Sequence, residues 1–264
     1  MHKNFSGSAA DVLRNLYLEL KLEKEAIREL NNPDWGTQAI AIRELAQLKI
    51  VEANKKIKKF TAHENQIIRL EAQVAILTLE SDNPFSFLST TKSLLTEWHQ
   101  VNLTRVIEQM DKSTLPVFSQ WFSVKNNSVV EFSVKMTLQY DQFQSAPELI
   151  ELLQHPSQEI VGEAARVLGI FCAYESQPML LKAFRTANKT VKLQIIEALG
   201  SCGTDELIPF LQQQLLQNDI ELAFAAGASL KKLGPDGEAV LQQNTTSMLY
   251  GVPDICKHLL DERI

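Results

Sequence analysis

Apolar residues recur every 31 positions between residues 113 and 234. Within each period a proline is followed by apolar residues two, six and thirteen positions later. These sets are Pro116, Pro147, Pro178 and Pro209; Phe118, Leu149, Leu180 and Leu211; Phe122, Leu153, Phe184 and Leu215; and Val129, Ile160, Val191 and Leu222. A fixed period of about 20–50 residues is typical of solenoids, in which each unit buries its apolar side against the next. The pattern therefore predicts stacked repeats across this segment.

Each period is predicted to hold two short helices, named helix A and helix B. In residues 145–174, Leu149, Leu152 and Leu153 lie at helical spacing, and the early Pro147 costs no intrahelical hydrogen bond. After a polar break, Ser157 is a predicted N-cap and Ile160 begins the apolar stripe of helix B. Small residues of helix B are expected to let neighbouring helices approach closely, and four glycines are expected at helix ends and turns: Gly200, Gly203, Gly234 and Gly237.

The early proline, the polar turn and the helix B pattern of Ile160, Ala164 and Leu168-Gly169 resemble HEAT repeats. The resemblance is clear over 113–234 and looser over 33–112. It implies an all-α fold, a right-handed α-solenoid of about six helix pairs with a 31-residue period, and a protein-binding role with helices B on the concave face. The chain departs from the family at the basic position after the first helix B residue, where only Lys192 conforms.

Outside the regular segment the pattern predicts caps and irregular repeats. Residues 1–32 are predicted to be an N-terminal capping region, with one helix over 9–31 whose apolar side includes Leu13, Leu16 and Leu20. Irregular HEAT-like repeats are expected over 33–112, four regular repeats over 113–234, and a C-terminal cap over 235–264. Removing residues 238–264 is expected to lower solubility, because terminal repeats need a polar outer surface.

Positions two and six beyond the first apolar residue of each helix B should point away from the apolar stripe. Such positions form the candidate partner-binding surface, with a solvated helix face as the alternative. The candidates are Arg69, Gln73, Glu131, Lys135, Arg166, Glu197 and Phe224. Lys135, Arg166 and Glu197 lie 31 apart and are expected to form a ladder of mixed charge.

Two further features are candidate sites. One is a basic cluster, which either binds an anionic surface or is an ordinary solvated face: Lys55, Lys56, Lys58 and Lys59. The other is the pair Trp98 and His99, which interrupts the repeat; a buried Trp98 beside a surface His99 is the structural interpretation. Trp121 is expected to serve packing.

Composition narrows the function classes. The chain has 26 basic and 32 acidic residues, a net charge of −6, which argues against general nucleic-acid binding. Residues 1–80 hold 12 basic and 11 acidic side chains, whereas the remainder holds 14 and 21. The 3 cysteines have neither disulfide-framework nor zinc-site spacing, and no common catalytic motif is present. Some HEAT-like proteins resemble bilin lyases, and another helical-repeat group excises alkylated bases, but the sequence favours no enzymatic activity.

The sequence therefore predicts a monomeric, cytoplasmic, non-catalytic scaffold that binds another protein through its helices B and needs no cofactor or metal. The chain also resembles HEAT-repeat proteins of Bacteroidetes-type genomes, which often carry a membrane helix ahead of the repeats. That resemblance leaves an alternative open: a membrane-proximal accessory subunit of a bacterial envelope or glycan-synthesis system, whose N-terminal anchor precedes Met1.

Overall fold

The computed structural model describes residues 8–261, and every regular element within them is helical. The start at Met1 and the ends of the predicted caps, residues 1–7 and 262–264, lie outside the described residues. The α-helices over 8–261 are α1 Ser8–Glu19, α2 Leu22–Glu29, α3 Trp35–Gln47, α4 Asn54–Ile57, α5 Gln66–Leu79, α6 Glu97–Ile107, α7 Asn127–Gln139, α8 Ala146–Leu152, α9 Gln158–Phe171, α10 Gln177–Phe184, α11 Lys189–Cys202, α12 Ile208–Leu215, α13 Ile220–Lys232, α14 Pro235–Gln243 and α15 Val252–Leu260. The predicted all-α solenoid class is confirmed.

The chain forms two compact units, each described here by itself. The first comprises Met1–Pro116 with Val124–Val129, and the second comprises Val117–Ser123 with Val130–Ile264. The predicted division at 1–32, 33–112, 113–234 and 235–264 stays a prediction.

Helical hairpins build the second unit. Helices α8, α10 and α12 are the A helices of successive periods, and each packs against the B helix that follows it, α9, α11 and α13. The B helices also pack against one another, α9 on α11 and α11 on α13. The periodic residues Leu149, Ile160, Leu180, Val191 and Leu211 are all buried. One short amphipathic helix is unstable alone in water, so this stacking stabilises each hairpin.

A polar side chain caps each B helix at the same position of the repeat. Ser157, Asn188 and Asp219 lie 31 residues apart and precede α9, α11 and α13. Their side-chain oxygens accept hydrogen bonds from backbone N–H groups of the first helical turn, which helix geometry leaves without partners. The predicted N-cap at Ser157 is confirmed. In the first unit Asn65 and Thr96, also 31 apart, cap α5 and α6 in the same way.

Glycines set the spacing between neighbouring B helices. A Cβ on Gly169 of α9 would lie 2.6 Å from the Cα of Ala198 on α11. A Cβ on Gly200 of α11 would lie 2.4 Å from the Cβ of Ser229 on α13. Gly200 therefore serves helix contact inside α11, and the prediction that it ends a helix is wrong. Gly234, with φ of 87°, forms the turn between α13 and α14, as expected.

The first regular period lacks a full helix A. Only a 3₁₀ turn, Phe118–Trp121, follows Pro116, although the sequence predicts a helix there. The bulky side chains still fill the core, because Phe118 and Trp121 are both buried with ring centroids 5.8 Å apart. The packing role predicted for Trp121 is confirmed, while its helix is shortened.

The hairpin of α14 and α15 continues the stacking after α13. Both helices contact α13, and Val252, Ile255 and Cys256 are buried. A Cβ on Gly227 of α13 would lie 2.6 Å from the Cδ1 of Leu259, so α15 occupies the place that a next helix B would take. The C-terminal segment thus covers the apolar side of α13.

The first unit is less regular. The predicted single helix over 9–31 is two helices, because Lys21 adopts a left-handed backbone with φ of 58° between α1 and α2. The predicted apolar side is solvent-exposed at Leu13 and Leu16 of α1 and at Leu20 directly after it. Helix α3 packs on α5 and α5 on α6, while 3₁₀ turns replace full A helices, as at Ser86–Ser89.

Candidate functional site: a groove on the B helices

An open groove of about 490 Å³ lies between α11 and α13 in the second unit. Its floor is apolar, and Ile220 and Phe224 remain 59% and 42% exposed there. The residues lining it are Leu193, Glu197, Ile220, Glu221, Phe224, Ala225, Ala228, Ser229 and Lys232. Large apolar side chains left accessible in a concavity are typical of a binding surface.

The repeat places these side chains together. Leu193 and Phe224 lie two positions beyond the periodic apolar residues of α11 and α13, and Glu197 and Ala228 lie six beyond them; these periodic residues are Val191 and Leu222. Each pair is 31 residues apart, so stacking brings equivalent turns of the two helices side by side. Small residues on α13, Ala225 and Ala228, keep the floor low. The groove therefore includes two predicted candidates, Glu197 and Phe224.

Charged side chains stand at both ends of the groove. At one end the Lys189 Nζ lies 3.0 Å from Asp219 Oδ2 and 3.1 Å from Glu221 Oε2, and its hydrogen bonds to these carboxylates raise its pKa. The same bond to Lys189 is the main cause of the lowered pKa of Asp219. At the other end the Lys232 Nζ lies 3.5 Å from Ser201 Oγ. Glu197 is exposed between them, and no ion pair is formed by it within residues 8–261.

Helix α15 borders Phe224 on its other side. The rings of Phe224 and His258 lie 5.9 Å apart, centroid to centroid. The Lys231 ammonium donates a hydrogen bond to the carbonyl oxygen of Leu259 at the end of α15. The groove wall at α13 is thus held in place from behind by the C-terminal hairpin.

The remaining predicted residues of the second unit lie on α7 and α9 and are charged. Burial raises the pKa of Glu131, and nearby Glu159 and Glu163 add to the rise while Lys135 opposes it. Arg166 donates two hydrogen bonds to Glu163, at 3.0 and 2.6 Å, so much of its charge is satisfied within α9. We call the exposed side of α7, α9, α11 and α13, including the groove, the helix-B surface. It is charged on α7 and α9 and largely apolar between α11 and α13.

Two predicted surface residues of the first unit are buried, and that prediction is wrong for them. Arg69 is 6% exposed and donates to the carbonyl oxygens of His63 and Glu64, at 2.6 and 3.1 Å. Gln73 is fully buried and donates to the carbonyl oxygen of Thr61 at 2.9 Å. The turn that precedes α5 folds back over this side of the helix, so both side chains satisfy backbone groups of the turn.

The burial of Trp98 and His99 is also the opposite of what the sequence predicts. Trp98 is 54% exposed, whereas His99 is fully buried. The His99 Nδ1 lies 3.0 Å from the Oγ1 of Thr96, the N-cap of α6. Burial lowers the pKa of His99, and the guanidinium of Arg69 lowers it further. His99 therefore belongs to the interior of the first unit.

The four lysines of the basic cluster are exposed around the short α4. Ile57 between them is buried, which is the docking expected of an ordinary helix, and the Lys58 Nζ lies 3.7 Å from Glu80 Oε2. Lys55, Lys56 and Lys59 are exposed beside Lys58, and whether the basic cluster binds an anionic surface or is an ordinary solvated face stays a prediction.

Two residues that line the groove were not among the predicted candidates: Ile220 and Lys232. Ile220 is the first residue of α13, one turn before Phe224, and an isoleucine directly after the cap Asp219 was the available signal.

No set of three or more His, Cys, Asp or Glu residues within 8–261 is arranged to hold a metal ion. No helix over the same residues is long and apolar enough to span a membrane.

The fold and the groove define a helical-repeat protein of the α-solenoid class. The family model described as HEAT repeats matches residues 140–241, which confirms the HEAT resemblance. The closer resemblance to proteins of Bacteroidetes-type genomes stays a prediction. Comparison with curated proteins gives no match.

The solved structures to which this chain is similar have low sequence identity to it. An engineered protein is 16% identical with a TM-score of 0.44, covering 95% of this chain and 70% of its own. A designed armadillo repeat protein is 16% identical with a TM-score of 0.38, covering 80% of this chain and 99% of its own. The complex of CpcE and CpcF of phycocyanin lyase from Nostoc sp. is 15% identical with a TM-score of 0.32; the match covers 90% of this chain and 94% of the matched chain.

Proposed function

We propose that this protein is a non-catalytic scaffold that binds a partner protein through its helix-B surface. Repeats of the HEAT kind typically mediate protein–protein interaction, which gives the general class. The observation that supports this particular surface is the groove, because Ile220 and Phe224 remain exposed where the packing of α11 against α13 would allow a polar residue at no cost.

The composition of the surface also favours a protein partner. Protein interfaces combine a central apolar area with a polar rim, and aromatic residues contribute strongly to binding. The helix-B surface has Phe224 and Leu193 in the groove, with Glu197 and Lys232 at its edge. The adjacent charged area on α7 and α9 would contribute orientation and association rate more than affinity.

Site-specific photo-crosslinking tests the proposal and does not require the partner to be identified beforehand. A photoreactive phenylalanine analogue is placed at Glu197 on α11 or at Lys135 on α7, and as a matched control at exposed Gln213 on the helix A face of α12. Irradiation of cells should give adducts with another protein from Glu197 and Lys135 and none from Gln213. Adducts confined to Gln213, or none at any position, would contradict the proposal.

A membrane-proximal role is the second candidate, and one observation favours it. Leu13 and Leu16 of α1, and Leu20 directly after it, are 40%, 49% and 60% exposed, and an exposed apolar helix side suits the membrane interface. The exposed lysines of the basic cluster, in the same unit, would add attraction to anionic lipid. Sedimentation with vesicles of anionic and neutral lipid tests this: the wild type should sediment with anionic vesicles, and Leu16→Ser and Lys55→Glu should each reduce it. If the wild-type protein stays in the supernatant to the same extent with anionic and with neutral vesicles at low salt, this role is excluded.

A further inference from the structure

We infer that the groove between α11 and α13 takes a basic amphipathic helix of the partner protein. This inference deepens the proposed function and rests on it. The partner segment would insert two or more large apolar side chains, spaced three or four residues apart, over Leu193, Ile220 and Phe224. It would present Lys or Arg towards Glu197 and the carboxylates of α7 and α9.

The form of the groove indicates a helix as the occupant. Its floor follows two neighbouring helices, and its apolar residues Ile220 and Phe224 are one turn apart on α13. An amphipathic helix lying in such a groove presents side chains at the matching interval of three or four residues. A volume of about 490 Å³ accommodates a few side chains and leaves the polar side of the helix in solvent.

The distribution of charge indicates that the partner is basic. Lys192 lies over the Phe184 ring of α10, and Lys231 donates to the carbonyl oxygen of Leu259, so both cations are engaged away from the groove. Among the other charged side chains of the helix-B surface the carboxylates outnumber the cations: Glu131, Glu159, Glu163, Glu197, Asp219 and Glu221 against Lys135, Arg166, Lys189 and Lys232. The ion pairs of Arg166 with Glu163 and of Lys189 with Asp219 and Glu221 use two of these cations and three of these carboxylates. Outside these pairs the carboxylates still outnumber the cations, with Glu131, Glu159 and Glu197 against Lys135 and Lys232. The mutual repulsion at Glu131, Glu159 and Glu163 that helps raise the pKa of Glu131 is relieved when a cation approaches.

Glu197 is the residue that joins the apolar and charged areas. It lines the groove, is exposed, and is four positions beyond Leu193 on the same side of α11. A Lys or Arg next to the apolar side chains of the partner would therefore reach Glu197 while those side chains fill the groove.

Selection from a phage-displayed library of random peptides of roughly 16 residues, about four helical turns, tests the inference. Peptides are selected on the wild-type chain and measured by fluorescence anisotropy on variants whose fold is checked by circular dichroism. Enriched peptides should combine apolar residues spaced three or four apart with an excess of Lys and Arg. Phe224→Ser and Glu197→Lys should each weaken their binding by at least about tenfold.

Tyr174→Ser is the matched control, because Tyr174 is 58% exposed in the turn directly before the A helix α10 and does not line the groove; its effect should be under about twofold. Enriched peptides that are acidic, that ignore Phe224→Ser, or that fail to appear would overturn the inference, and so would self-association of the wild type that Phe224→Ser abolishes. Crosslinks from Lys135 and Glu197 would still support the proposed function in any of these cases, so the two failures are distinguishable.

Discussion

At single residues, the effect of replacing a glycine on a B helix depends on which atoms of the neighbouring helix lie opposite it. Gly162 and Gly169 are both on α9, but a Cβ on Gly162 would meet the flexible end of Gln194, with its Oε1 at 2.0 Å, whereas one on Gly169 would meet the backbone of Ala198. Alanine favours the helix by about 1 kcal/mol at either position. Only at Gly169 must neighbouring backbone move to admit it.

Gly169→Ala should therefore lower the free energy of unfolding by about 1–3 kcal/mol, because overpacking exceeds the gain in helix propensity. Gly162→Ala is the matched control and should stay within about 1 kcal/mol of the wild type, since Gln194 can turn away. Urea denaturation monitored by circular dichroism measures both. Equal effects of the two substitutions would show that the distance between α9 and α11 does not depend on Gly169.

The buried His99 predicts a pH dependence of stability. The pKa of His99 is lowered in the folded protein by burial and by Arg69, whereas in the unfolded chain the pKa is about 6.5. The unfolded state thus binds the proton more readily, and this contribution to stability is complete above about pH 6.5 and is lost as the pH falls below it.

Unfolding free energies measured between about pH 5 and 8 should fall on the acid side, and His99→Gln should flatten this dependence even if it lowers stability overall. Gln213→Ser, a substitution at an exposed residue of α12 that keeps His99 in place, should retain the dependence of the wild type. An identical slope for the wild type and His99→Gln would contradict the assignment.

Single residues also mark where the sequence is a poor guide. Helical periodicity distinguishes the two sides of a helix only when one side faces solvent. Helix α5 is buried on most sides, by α3, α4, α6 and the turn before it, so Arg69 and Gln73 occupy interior positions that periodicity assigned to the surface. Trp98 and His99 are adjacent, and a shift of one position in the predicted stripe exchanged which of them is buried.

At the scale of elements, the period was predictable because several independent signals repeat together. Apolar residues, prolines and caps all return after 31 positions in the regular segment, and α8 to α13 lie where they indicate. Element length was less predictable. Phe118 and Trp121 keep their repeat positions in a 3₁₀ turn, because burying two large rings requires only one turn of backbone.

The repeated cap gives a test at this scale. Asn188 Oδ1 accepts from the Val191 N–H at 3.0 Å, so Asn188→Ala should cost about 1 kcal/mol of unfolding free energy. Asn188→Asp preserves the acceptor and should cost less than half as much, with added benefit from the positive end of α11. Thermal and urea denaturation compare the three proteins; equal losses for Ala and Asp would contradict the capping role.

At the scale of the whole molecule, the C-terminal hairpin ends a stack whose last regular helix is apolar on two sides. Helix α13 is covered by residues of α15: Ile255, Cys256 and Leu259. Because α13 also forms one wall of the groove, this packing supports the groove. The sequence indicated a covering role for this segment, but not that α14 and α15 repeat the hairpin, since the period of prolines ends at Pro209. Function was the least predictable level, because a repeat pattern specifies buried positions and leaves the exposed ones unconstrained.

Removing residues 238–264 should expose the covered side of α13 and cause association or loss of soluble protein. Size-exclusion chromatography with light scattering compares the truncated chain with a Cys256→Ser variant, which keeps the hairpin. A truncated chain that stays monomeric, with unchanged unfolding free energy, would show that the hairpin is dispensable.

The central claim is that the helix-B surface binds the partner. Hydrogen–deuterium exchange of the chain, free and in complex with the protein captured by crosslinking, tests it most directly. In the complex, exchange is expected to be slower on α9, α11 and α13 and unchanged on α8, α10 and α12. Protection confined to α8, α10 and α12 would contradict it.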